Sequence, residues 1–386
     1  MSAVATADAR ELRHLMIDQL KKGLSLSEAV ERALRALPRE AFLPGTDLDR
    51  VYSGMVVPTK WDARGTPISS SSEVGVMAVM ADQLDLAEGQ HVLEIGSGTG
   101  YNAAMLASIV GQRGRVTTVE IDTDLADSAR DHLRRAGFDR VDVRAADGWL
   151  GWSDAAPYDR IELTASTTDV SPHWVEQLAD DGRLVVPLRT LAGSQMLVAF
   201  RKSGATLRSM SLRPGGFMPL RGTNLDADEA LTAGDYEFEL ASASADTVRT
   251  VTDLLATDPR TEIGPPTQPT HWGAYSALAL SGQDTIALRK KRTMGVAVGV
   301  IDPGAPGIAV IEVAGTIVAG PLTLITTFGS PAVADRLRER LANLRPQGLG
   351  TLSIVAAPSN GETPEGDTVI RRKNYTFVFT RGMAGS

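Results

Sequence analysis

The chain of 386 residues contains no cysteine. That absence excludes disulfides, thiolate metal sites and a cysteine nucleophile, and it suits a reducing compartment. Positive charge is not in excess either: the net charge is −8, with acidic and basic residues mixed along the chain. Without a basic stripe there is no footprint for nucleic acid. No apolar run is long enough to span a bilayer, and the opening "MSAVATADARELRHLM" lacks a signal-peptide core. The expectation is a cytoplasmic protein that engages neither membrane nor nucleic acid. Internal repeats and low-complexity tracts are missing too. The histidines are His14, His91, His132, His173 and His271, and none sits in a nucleophile–base triad motif. No metal-ligand pattern stands out.

What is present is a long, ordinary globular composition, 43% hydrophobic and 22% charged. That length exceeds one ordinary core and implies two domains. Residues 7–37 have helical periodicity in two short stretches, with Ser25 and Glu28 at capping-box spacing before the second. Pro38 and Pro44 break the pattern, and residues 45–72 look loop-like. From 74 to 212 strand and helix patterns alternate. Strands are predicted at 91–96, 115–121, 141–147, 158–166 and 182–188. This is the signature of a mostly parallel sheet covered on both faces. An antiparallel pair follows without a helix. Residues 223–235 resemble a linker, and the texture then changes to a separate α+β domain with strands near 236–242 and 374–380.

The stretch "VLEIGSGTGYNAAMLA" combines a buried strand, a glycine-rich turn and a helix start. Gly96, Gly98 and Gly100 permit close backbone approach, and the helix start offers free N–H groups. Two cofactors compete for it. Gly98–Ala103 fits the dinucleotide pattern, with Glu120 placed for ribose hydroxyls. The frame Glu94-x-Gly96-x-Gly98-x-Gly100 fits S-adenosylmethionine, whose ammonium and sulfonium suit a carboxylate at Glu94. "ADGW" after the third strand favours the latter, because Asp147 can accept from an adenine amino group beside Gly148.

Residues 10–222 resemble a protein-L-isoaspartate O-methyltransferase. The matching stretches, in order, include "LPREAF", "PIS", "VLEIGSGTGYNAA", "VEI", "DGWLGW", "LTAS", "GRLVVPL" and "FMPL". The resemblance implies an α/β S-adenosylmethionine-dependent methyltransferase sheet with helices on both faces over residues 1–222. Residues 223–386 would form a C-terminal α+β domain that recognises a peptide. It implies methyl transfer to a carboxylate oxygen of a peptide. It places Gly96, Ser97 and Gly98 in the cofactor loop, Glu120 at the ribose and Asp147 with Gly148 at the adenine. It gives Ser69 the part of the active-site serine.

Ser69 opens a run of four serines, Ser69–Ser72. An ionised carboxylate acceptor needs no general base, so Ser69 is expected to hold it as a hydroxyl donor, with Ser70 beside it and Ser70–Ser72 forming the turn into the helix predicted at 74–84. The alternative is that the run only caps the helix predicted at 74–84. The family usually has proline where this chain has Ser71, and often an aromatic or histidine where it has Ser72. Arg160 and Glu162 fall two apart in a strand that the family keeps apolar, so they either pair or reach the substrate groove. Arg221 is a candidate to steer the peptide carboxylate. The chain is similar in this to family members with C-terminal extensions from gene clusters for ribosomally made peptides such as lanthipeptides and graspetides. The altered groove and the extension therefore suggest esterification of an aspartate in such a peptide, usually a macrocyclic one, leading to a succinimide that persists or opens to isoaspartate. General repair of isoaspartate is the alternative.

Overall fold

The computed structural model describes residues 2–63, 65, 67–190, 195–223, 231–241, 244–264, 278, 282, 284–291, 296–302, 304–314, 322–343 and 352–381. Two leader helices open the chain, α1 (Ser2–Leu20) and α2 (Glu28–Ala36). Ser27, not Ser25, caps α2 by accepting from the Val30 amide at 3.3 Å. The helix begins at Glu28, so the Ser25–Glu28 spacing falls two residues too early to form a capping box.

Residues 45–72 are more ordered than their composition suggests. They hold a short helix, α3 (Leu48–Val51), and an antiparallel hairpin of β1 (Val57–Trp61) with β2 (Pro67–Ser71). Next come α4 (Val74–Leu84), β3 (His91–Ile95), α5 (Tyr101–Val110), β4 (Arg115–Glu120), α6 (Thr123–Arg135) and β5 (Asp142–Ala145). The first unit continues through β6 (Tyr158–Leu163), α7 (Pro172–Gln177), β7 (Leu178–Arg189), β8 (Gln195–Ser203) and β9 (Thr206–Pro214). Strands β5, β4, β3, β6 and β7 are parallel neighbours in that order; β8 pairs antiparallel with β7, and β9 antiparallel with β8. The chain leaves β3 for β4 on one side, while β6 lies on the other. Ligands of such sheets bind at this switch point, beyond the carboxyl ends of the strands.

The second unit is a sheet of β10 (Leu231–Ala233), β11 (Tyr236–Leu240), β12 (Arg260–Ile263), β13 (Thr285–Lys290), β14 (Ala297–Asp302), β15 (Gly307–Ala314) and β16 (Leu322–Gly329). Helix α8 (Ala245–Leu255) and helix α9 (Ala332–Asn343) pack on its two faces. Val298, Val300 and Ile311 meet the α9 core, while Ile301, Ile308 and Val310 meet the α8 core, following the two-residue alternation of a strand.

The border expected at residue 222 therefore needs correction. Strands β17 (Leu352–Pro358), β18 (Thr368–Arg371) and β19 (Tyr375–Arg381) do not stay with the second sheet. β17 pairs with β9, and the three extend the first sheet to ten strands. Ile354, Phe377 and Phe379 share one core with Leu93, Ile161 and Trp174. The fully buried Asp169 ties this return to the loop after β6. Its carboxylate accepts from the amides of Asn374 at 2.7 Å and Tyr375 at 3.0 Å, and from the Asn374 side chain at 2.8 Å. The second sheet is thus inserted between β9 and β17. Residues 224–230 of the expected linker lie outside the described residues.

Candidate active site

The glycine turn follows β3 and has the geometry that only glycine readily supplies. Gly96 and Gly100 have φ of 104° and 86°. A Cβ on Gly96 would lie 2.3 Å from Thr164 Oγ1, and one on Gly148 would lie 2.4 Å from Ile95 Cγ2. Both positions leave backbone surface that no larger residue could leave. Ser97 is buried at the floor of the turn, its Oγ 2.7 Å from Thr118 Oγ1.

Glu120 ends β4 beside this turn. Its carboxylate accepts from the Gly98 amide at 3.0 Å and the Asp122 amide at 3.2 Å, which fixes it against the loop. Burial raises its pKa, and those two amides oppose the rise. Asp147 follows β5 and accepts from the Trp149 amide at 2.9 Å through one oxygen. Its other oxygen accepts from the Thr223 amide and hydroxyl at 2.7 and 2.8 Å. Gly222 is needed there, since a Cβ on it would meet Asp147 Oδ1 at 2.3 Å. Gly96, Ser97, Gly98, Glu120, Asp147 and Gly148 all stand at the carboxyl ends of neighbouring parallel strands.

Glu94 is placed differently. It is fully buried, and its two oxygens accept from Thr118 Oγ1 at 2.5 Å and Asn102 Nδ2 at 2.7 Å. It lies beneath the turn and faces α5, not the cleft, so its carboxylate is not presented to a ligand ammonium. Glu162 stands directly across from it, on β6, and also accepts from Asn102 Nδ2, at 2.7 Å. One amide therefore joins two buried carboxyls. Burial raises the pKa of both, and the charge of Glu94 raises that of Glu162 further. Arg160 does not pair with Glu162. Its guanidinium donates to the carbonyls of Leu84, Asp85 and Asp159. Glu162 is fully buried, whereas Arg160 is half-buried.

The serine run is strand, not helix cap. Ser69, Ser70 and Ser71 lie in β2, and α4 begins after Glu73 with no side-chain cap bond. Ser69 is buried at 7% exposure and stands over the glycine turn: a Cβ on Gly98 would be 4.0 Å from Ser69 Oγ and 3.3 Å from the Ser70 carbonyl. Thr59 Oγ1 donates to Ser69 Oγ at 3.2 Å, which leaves the Ser69 hydroxyl hydrogen for another acceptor. Arg221 makes a two-pronged pair with Asp122, at 2.7 and 3.2 Å, and Lys60 reaches Asp122 at 3.2 Å and Asp124 at 2.7 Å. The two cations hold the Asp122 pKa low. The cation at Arg221 is thus already matched by Asp122, which lies two residues past Glu120.

Thr59, Lys60, Thr118, Asp122 and Thr223 support the site although no quoted motif contains them. Asn102 and Thr164 support it too and lie within the stretches "VLEIGSGTGYNAA" and "LTAS" without having been singled out. Among the described residues no cluster of His, Asp or Glu is arranged to hold a metal ion, and no helix is long and apolar enough to cross a membrane.

The part of the chain that carries this site matches known proteins. The family profile described as protein-L-isoaspartate(D-aspartate) O-methyltransferase matches residues 10–224. Protein-L-isoaspartate O-methyltransferase 2 of Archaeoglobus fulgidus is 37% identical over 215 residues, 56% of this chain and 95% of that relative. The protein-L-isoaspartate O-methyltransferase of Methanothermobacter thermautotrophicus is 38% identical over 213 residues, 55% of this chain and 95% of its own. A solved protein-L-isoaspartate O-methyltransferase covers 89% of this chain and 96% of its own, with a TM-score of 0.53 and 24% identity. That likeness of fold runs well beyond residue 224.

Proposed function

Because the chain belongs to the protein-L-isoaspartate(D-aspartate) O-methyltransferase family, we propose that it esterifies the free carboxylate of an L-isoaspartyl residue in a protein or peptide. S-adenosylmethionine is the methyl donor, and when bound it supplies a methyl group made electrophilic by its positive sulfur. The cradle fits that group. Gly96, Gly98 and Gly148 leave room at the backbone, Glu120 is set for the ribose and Asp147 for the adenine. Gly100 shapes the helix start, and Glu94 supports the turn from below.

The observation that carries the reading is the approach of Ser69 to the glycine turn, which puts an acceptor-side hydroxyl beside the cofactor loop. A carboxylate is ionised near neutral pH, so no residue has to remove a proton from it. The task of the chain is alignment, and alignment alone can supply several kcal/mol. Ser69 donates to the acceptor carboxylate while Thr59 holds the serine in place. Ser70 lines the same edge. Arg221 acts through Asp122 on the cofactor side.

A second reading, esterification of an ordinary aspartate in a dedicated peptide, rests on Ser71 and Ser72 standing where the family has other residues. The extension no longer favours it, since a solved isoaspartate methyltransferase shares the fold over most of this chain. Incubating matched isoaspartyl and aspartyl linear peptides with S-adenosylmethionine, followed by mass spectrometry, separates the two. Methylation of the isoaspartyl peptide alone is expected. No reaction with either, from enzyme that binds S-adenosylhomocysteine, would favour the second reading. Ser69→Ala should lower kcat about 10–100-fold, in the range of a lost alignment or oxyanion contact. Unchanged turnover removes Ser69 from the reaction.

A further inference from the structure

Arg39 is fully buried and has no carboxylate among its hydrogen-bond partners. An isolated cation in a core is costly, and burial lowers its pKa. Its partners are unusually specific in place. Nη1 donates to the Val51 carbonyl at 2.7 Å. Nη2 donates to the carbonyls of Met55 at 3.0 Å and Ser72 at 2.9 Å, and to Ser71 Oγ at 3.3 Å. Val51 and Met55 precede β1, while Ser71 and Ser72 close β2. One guanidinium therefore grips both roots of the hairpin that carries Ser69. Its central carbon also lies 5.9 Å from the ring centroid of Tyr101, the first residue of α5 and the one directly after Gly100.

We propose that Arg39 is a positioning residue for methyl transfer, setting the hairpin that carries Ser69 against the helix that begins at the glycine turn. The proposal rests on the reading of Ser69 given above. It also gives Ser71 a role: where proline was expected, this chain has a hydroxyl that accepts from Arg39. Arg39 touches neither acceptor nor cofactor, so its loss should affect alignment more than cofactor affinity.

The test uses the full chain with Arg39→Lys, Ser71→Ala, Ser69→Ala and the double variant Arg39→Lys/Ser69→Ala. Calorimetry with S-adenosylhomocysteine first confirms that each is folded and binds. Arg39→Lys should lower kcat on an isoaspartyl peptide about tenfold or more, as misplacement of an aligned group does. Its S-adenosylhomocysteine Kd should stay within about threefold of the wild type, a split that general destabilisation does not produce. Ser71→Ala, which removes one bond and leaves the guanidinium, should show a smaller loss of the same kind. The double variant should lose little beyond Ser69→Ala alone, because the two residues act as one unit. Normal kcat in both Arg39→Lys and Ser71→Ala, beside an impaired Ser69→Ala, overturns the proposal. So do fully additive losses in the double variant. Full turnover by Ser69→Ala alone instead sinks the underlying reading of Ser69.

Discussion

The two sheets treat charge in opposite ways. In the first unit Arg39, Glu94, Glu120, Glu162 and Asp169 are all buried. In the described residues of the second sheet and its helices the buried polar side chains are threonines: Thr285, Thr323, Thr326 and Thr327. Charges there stay at the rim, where Arg336, Arg338 and Arg340 of α9 meet Asp284, Asp302, Glu262 and Asp335. A hydroxyl can be buried at low cost once it is bonded, whereas a buried charge demands several well-placed partners. Those partners fix geometry. The first unit carries them around the turn, the hairpin and the loop after β6, and the second unit does without them.

The largest expected effect is at the cofactor turn. Gly96→Ala would drive a Cβ to within 2.3 Å of Thr164 Oγ1 at a φ that alanine rarely adopts. S-adenosylhomocysteine affinity should fall at least about 100-fold, or more than 2–3 kcal/mol. Calorimetry showing near-normal affinity would mean that the turn does not hold the ligand. The two units differ next in how they tolerate loss of a charge. Asp169→Ala would leave the amides of Asn374 and Tyr375 without their buried acceptor and should cost about 3 kcal/mol in thermal or urea unfolding. Arg338→Ala on α9, whose pairs with Glu262 and Asp335 are solvent-exposed, should cost less than about 1 kcal/mol. Equal losses would erase the contrast between the sheets.

A change in the buried carboxyl pair of the first unit is the most diagnostic, through its pH dependence. The Glu162 carboxyl is pushed up to about 8 from an ordinary value of 4.5. Between those values the unfolded chain releases a proton that the folded protein keeps, so stability falls as pH rises through that window. Glu162→Gln removes this linkage. It should stabilise the protein by about 1–3 kcal/mol at pH 8 and by progressively less toward pH 5. A gain that does not change with pH would show that Glu162 is already ionised at pH 5.

Several departures from expectation share one cause. Asn102 links Glu94 to Glu162, residues 68 positions apart along the chain by number, because parallel register sets β3 beside β6. Asp147 meets Thr223, and Asp169 meets Asn374 and Tyr375, again across long separations. Such pairs leave no periodic trace. The hairpin of β1 and β2 was hidden for a related reason. Its surroundings are rich in Gly, Pro, Ser and Thr and resemble a loop, and its roots are held by Arg39 from earlier in the chain.

By itself the sequence determined the elements whose cause is local. The alternation of strand and helix from 91 to 189 follows from short-range apolar periodicity. The cofactor turn follows from glycines at positions whose dihedrals and close contacts exclude a side chain, within a few consecutive residues. Only the tertiary structure decided that Glu94 faces inward, that Ser69 stands over Gly98, and that β17–β19 return to the first sheet. Each of these depends on which distant surfaces meet, and burial together with hydrogen bonding settles that only once the whole chain has folded.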